Sequence, residues 1–160
     1  DMALNFLRRN AGDWTDSERE TLAAKVLGLI GDVRFAAVFG DSSRAEVPIV
    51  GRIERPDGTL ILVSGQIDRL VITENEVLIV DFKTNLTPPL TAAEAPAAYI
   101  RQLALYCAIL ARLYPQRAIR TALLWTETPE FMEISASALD AALASVADGT
   151  AKLDPARARS

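Results

Sequence analysis

The 160 residues contain no histidine and a single cysteine, and only 6% are aromatic. Without histidine, any metal centre must be built from other side chains. One cysteine excludes an intrachain disulfide, and an iron–sulfur cluster, which needs several cysteine ligands, is disfavoured. Cys107 falls in a helical apolar stripe and reads as a small core residue. No hydrophobic run approaches the ~20 residues that span a bilayer. Arg8 and Arg9 near the start are not followed by the continuous apolar segment of a signal peptide. The chain is therefore expected to be cytoplasmic, with no membrane partner. Gly-rich phosphate loops and internal repeats are also missing. The net charge of −4 argues against a self-sufficient nucleic-acid binder, which is usually basic.

What is present suits one soluble globular domain. Half the residues are apolar and 24% are charged, which is ordinary for a folded core. The chain starts at Asp1 without an initiating Met, and Asp1-Met2 reads as a cloning remnant. The expected organisation is an N-terminal extension over 1–15, cut from a longer polypeptide, then a main domain over 16–150 and a frayed tail over 151–160. Asp16 is the expected cap of a first helix carrying Leu22, Val26, Leu29 and Ile30, with Gly31 as its C-cap and an incomplete capping box. A short helix or turn over 33–39 follows. Strands are expected over 44–54 and from Leu60, joined by the turn Arg55-Pro56-Asp57-Gly58. Pro96 opens a later helix that Pro115 stops, with a stripe of Ile100, Leu103, Cys107, Leu110 and Tyr114. A strand over 118–126 pairs with one over 131–134. Ser135 then caps a last helix whose stripe is Leu139, Leu143 and Val146. The sum is an α/β sheet with helices packed on it.

The stretch from Val63 to Thr84 carries the chemistry. Two β-rich runs flank Thr73-Glu74-Asn75-Glu76, the pattern of a hairpin with a four-residue loop. If Ile72 pairs with Val77, constant register brings Asp68 opposite Asp81, with Cβ atoms ~4.5–5.5 Å apart. Lys83 then shares their face. Two opposed carboxylates repel, and a divalent cation between them removes that cost, hard oxygen ligands suiting Mg²⁺. A lysine beside the cation could orient water or offset developing negative charge. Asp and Lys on a strand are also ordinary surface charges. Here, however, they end the run Val77-Leu78-Ile79-Val80, which is expected to be buried on both faces, where unpaired charge is expensive.

These residues carry a resemblance. Gly65-Gln66-Ile67-Asp68-Arg69-Leu70, Asp81-Phe82-Lys83-Thr84-Asn85 and Tyr99-Ile100-Arg101-Gln102-Leu103-Ala104-Leu105-Tyr106, in that order and spacing, resemble the RecB-type branch of the PD-(D/E)xK nucleases. With the segments 43–49 and 122–126, the chain is similar to C-terminal nuclease domains of the alphaproteobacterial AddA-type helicase-nucleases, over roughly 15–147. The resemblance implies a restriction-endonuclease-like core, a mixed central sheet flanked by helices. It implies Mg²⁺ or Mn²⁺ held by Asp68 and Asp81 and the Phe82 carbonyl, with Lys83 catalytic. Gln102 and Tyr106, spaced i, i+4 on one helix, match the family's Q-x-x-x-Y motif near the site. Glu46 is a further candidate ligand or a strand-edge charge. Arg44, Arg69 and Arg101 are candidate phosphate contacts, since guanidinium forks match phosphate oxygens. Trp14 could stack on a base or belong to an interdomain contact, and Trp125 reads as core.

The implied activity is a metal-dependent DNA exonuclease that processes double-strand ends and unwound single strands for homologous recombination. It would work with helicase domains of the same polypeptide and the AddB subunit. The alternatives are a catalytically impaired nuclease fold serving as a DNA-end clamp or assembly module, and a stand-alone nuclease of the same superfamily. RecB-type nucleases usually carry a metal-ligating His on a helix before the first strand. The departure here is expected to reflect a start downstream of that helix and a crippled metal site.

Overall fold

The computed structural model describes residues 2–148; the tail expected over 151–160 lies outside them. The chain divides into two compact units, Asp1–Gly40 and Asp41–Ser160. The first contains helices α1 (Met2–Asn10), α2 (Asp16–Gly31) and α3 (Ala36–Phe39), with a 3-10 turn at Val33–Phe35. The cap of α2 lies one residue earlier than the sequence suggests. Thr15 is the N-cap, its hydroxyl accepting from Glu18 N–H while the Glu18 carboxylate accepts from Thr15 N–H at 2.7 Å. This completes the capping box, because Thr-x-x-Glu satisfies two orphan donors that an Asp16 cap would leave open. Gly31 is helical and Asp32 is the C-cap. Only Ala23 and Leu29 of α2 are buried; Val26 and Ile30 of the expected stripe are 42% and 45% exposed. Arg19 of α2 holds the turn that follows α1 by donating to the Ala11 and Gly12 carbonyls at 3.0 Å each.

The second unit holds one five-stranded sheet, in the order β1 (Ser43–Glu54), β2 (Leu60–Ile72), β3 (Glu76–Lys83), β4 (Ala118–Trp125) and β5 (Glu130–Ile134). β1–β2, β2–β3 and β4–β5 are antiparallel, whereas β3–β4 is parallel. A parallel pair needs a crossover, supplied by α4 (Ala97–Leu113) after the Pro-rich loop; α5 (Ala136–Ala147) follows β5 and packs on α4. This mixed sheet with its helices is the restriction-endonuclease-like α/β fold. Pro48 lies on β1, an edge strand, where the missing N–H interrupts no inner ladder.

β3 is the central strand, and Val77 through Asp81 are all buried. A run of four branched or long aliphatics without polar alternation fits a strand covered on both faces. One core joins Ile79, Leu123 and Trp125 of β3 and β4 to Leu103, Tyr106 and Ile109 of α4 and to Leu139 and Val146 of α5. The buried face of α4 is broader than the expected stripe. It takes in Ala104, Leu105, Tyr106 and Ile109, while Cys107 is only partly buried at its margin. Helix and sheet approach closely at two glycines. A Cβ on Gly65 would lie 2.1 Å from the Tyr106 hydroxyl, and one on Gly51 would lie 2.9 Å from Ile109 Cδ1.

Candidate active site

The expected hairpin forms in the expected register. Ile72 pairs with Val77, and the ladder runs to Arg69–Val80. It ends there, one rung short of Asp68 and Asp81. The β1–β2 ladder also breaks at this level, passing from Ala45–Arg69 to Val47–Ile67 and omitting Glu46–Asp68. Glu46, Asp68 and Asp81 therefore occupy one row across three adjacent strands, and both ladders open along it.

Two local features account for the opening. Glu46 has φ of 54°, a left-handed conformation that a non-glycine residue rarely adopts within a strand and that clusters at functional sites. Asp68 Oδ2 accepts the Phe82 N–H at 2.6 Å, taking a donor that a continuing ladder would give to a backbone carbonyl. β2 changes parity across this point. Odd-numbered Ile61, Val63 and Ile67 enter the core before it, and even-numbered Leu70 after it, with Ile72 packed alongside.

Asp81 is 6% exposed. Its Oδ2 meets the Lys83 ammonium in an ion pair and accepts no other hydrogen bond. Lys83 is itself nearly buried, and its Nζ lies 3.8 Å from the centroid of the Tyr99 ring. The ammonium is thus held between a carboxylate and an aromatic face. Tyr99 in turn donates its hydroxyl to Asn85 Oδ1 at 3.1 Å. Burial pushes the Asp81 carboxyl above the ordinary carboxylate range, against the pull of Lys83. Burial likewise raises Asp68; Asp81 and Glu46 add to this by repulsion, while the Phe82 N–H and Lys83 oppose it.

This donor set fits a hard divalent cation. It offers two half-buried to buried carboxylates that repel one another, one with an oxygen short of partners, and oxygen donors are what Mg²⁺ and Mn²⁺ take. Among the described residues, no group of three His, Cys, Asp or Glu converges closely enough to cage a metal. Glu46 shares the row but its carboxylate accepts from Gln66 Nε2.

The remaining candidates are distributed around this row. Tyr106 belongs to the core, its hydroxyl seated over Gly65, three residues before Asp68, and accepting from Gln102 Nε2 at 3.3 Å. Arg44 is exposed on β1, and Arg69 is half-buried on β2 beside Asp68. Arg101 is half-buried on α4, next to Gln102. Trp125 is 1% exposed, a core residue, and Trp14 is 45% exposed in the first unit. Sequence reasoning passed over Tyr99, although it stands in the quoted α4 motif; its position three residues before Gln102, one turn up the helix, was the available signal.

The model of the PD-(D/E)XK nuclease superfamily matches residues 3–158. The chain belongs to that superfamily. Its Asp81-Phe82-Lys83 segment has the D-x-K spacing of that name and lies on the buried central strand. No curated protein matches the chain. Among solved structures it is similar to one described as the crystal structure of SSO0001, with a TM-score of 0.43 and 13% identity, covering 93% of this chain and 71% of that one.

Proposed function

We propose that this chain is a divalent-metal-dependent deoxyribonuclease domain that hydrolyses phosphodiester bonds at the site formed by Asp68, Asp81 and Lys83. The observation that carries the reading is the buried Asp81–Lys83 pair at the end of a strand covered on both faces. Burying two charges that way is a poor route to stability, so a role in chemistry is the better account. Asp68 and Asp81 would hold Mg²⁺ or Mn²⁺, with the Phe82 carbonyl and Glu46 as further donors. The ion would supply positive charge at the phosphate and acidify water.

Lys83 would orient the attacking water and donate to a phosphate oxygen as negative charge builds up. The Tyr99 ring fixes the ammonium without a competing hydrogen bond. Asp68 holds the Phe82 peptide and so sets the angle at which Asp81 and Lys83 leave β3. Gln102, braced on Tyr106, would contact the strand near the site, and Arg44, Arg69 and Arg101 its phosphates.

The finer reading follows the resemblance of the three motifs. The domain would trim DNA ends for homologous recombination in the cytoplasm, within an AddA-type helicase-nuclease that works with AddB. The test is cleavage of end-labelled duplex and single-stranded DNA in Mg²⁺, by the parent chain and by Lys83→Ala. Cleavage that needs the metal and falls at least ~100-fold in the variant supports the assignment, a loss in the usual range for one positioned charge. Equal cleavage by both would remove Lys83 from the chemistry.

A further inference from the structure

We infer that the cavity beside Lys83 is a nucleobase subsite, seating the base of a nucleotide that flanks the cleaved phosphate; this rests on the nuclease reading above. The cavity, an open groove of about 390 Å³, is lined by Pro88, Pro89, Pro96 and Tyr99, with the edge of the 1% exposed Trp125 at its floor. Its size falls in the range of small-molecule sites. It shares a wall with the catalytic row, because the Tyr99 ring that lines it also carries the Lys83 ammonium at 3.8 Å. A phosphate at Lys83 and a base in the cavity would belong to neighbouring parts of one strand.

The chemistry of the walls selects the occupant. None of the residues lining the cavity is a cation, and its one charged residue is Glu94, so it repels a phosphate. Proline and aromatic surfaces instead accept the flat apolar face of a base. Polar groups stand where base edges would reach: Asn85, whose carbonyl oxygen is taken by the Tyr99 hydroxyl and whose amide offers donors, and the Thr87 hydroxyl. The loop is built to hold that shape. Glu94 accepts the Leu90 N–H at 3.0 Å, and Thr128 donates to the Leu86 carbonyl at 3.1 Å.

The test uses the whole chain and a single-stranded oligonucleotide in which one position at a time is abasic, with binding read by fluorescence anisotropy in chelator and cleavage read in Mg²⁺. Base–aromatic stacking contributes on the order of 1–3 kcal/mol, so one abasic position should weaken binding about tenfold, and the same position should slow cleavage. The exposed Thr87→Leu fills the cavity without adding a ring or a charge, and should erase that position dependence. Cleavage by the parent with no position standing out, or position dependence unchanged in Thr87→Leu, overturns the subsite and leaves the nuclease reading intact. No binding and no cleavage by the parent overturns both.

Discussion

At the level of single residues, Asp68, Asp81 and Lys83 must each tolerate burial of a charge. Asp68 has lost solvent on burial and is crowded by Asp81 and Glu46. Its folded-state pKa lies above the ordinary value of 3.8, so its protonated form favours the fold. That contribution is complete below the ordinary value and is lost as pH rises through the raised one. Asp68→Asn keeps an acceptor for the Phe82 N–H and removes the charge. In chelator at neutral pH it should raise the melting temperature by about 2–4 °C, the shift of roughly 1 kcal/mol in a chain of this size. The gain should vanish near pH 3, and calorimetric melting at the two pH values checks it. Tyr99 was hidden in the sequence for a physical reason: a cation–π contact depends on where a helix sets a ring relative to a strand, which spacing does not reveal. Tyr99→Leu should lower turnover about tenfold, since such a contact is worth ~0.5–2 kcal/mol, and should also raise KM through the lost wall of the base subsite. Tyr99→Phe keeps the ring face and should retain most of the activity. Equal losses in the two would assign the effect to the Asn85 hydrogen bond instead.

At the level of elements, the legible part was what periodicity and turn chemistry encode. The Ile72–Val77 pairing followed from two β-rich runs about a polar tetrad, and Ser135 capped α5 as its sequence suggested. Less legible was the break in both ladders at Glu46 and Asp68, because a left-handed residue in a strand and a side chain that replaces a ladder acceptor leave no periodic trace. The wide buried face of α4 was missed for a related reason. The helix closes over two glycines, so its contact with the sheet is closer and broader than one stripe allows. That close approach is testable. Gly65→Ala places a methyl group against the Tyr106 hydroxyl and should destabilise by about 1–3 kcal/mol, the usual effect of overpacking. Adding Tyr106→Phe removes the oxygen in the way and should restore part of the loss. Urea denaturation of the two variants reads the coupling; additive losses would show that α4 does not ride on Gly65. The other end of the sheet is tied by Arg120, which pairs with Glu76 at 3.1 Å and with Glu133. These exposed pairs link β4 to the strands on both of its sides, while the row around Asp68 is left open.

For the whole molecule, the superfamily and its fold were readable because three short motifs and the order of the elements agree with one another. What composition could not show is how an acidic chain, with net charge −4 and pI near 4.9, meets a polyanion. No helix among the described residues is long and apolar enough to cross a membrane, and on the nuclease reading proposed above attraction to DNA would rest on local cations and on a bound metal. The chain alone should bind DNA no tighter than about micromolar at physiological salt, the range of non-specific binding, and more weakly as salt rises; anisotropy at two salt concentrations measures this. Metal should stabilise the fold through the same row, by about 2.7 kcal/mol when it stands at a hundred times its dissociation constant. The most direct test of the central claim is calorimetric titration of Mn²⁺ into the chain and into Asp68→Asn. The account predicts binding at about millimolar or tighter that is lost in the variant. Binding of equal strength to both, or to neither, would contradict a metal held between β2 and β3.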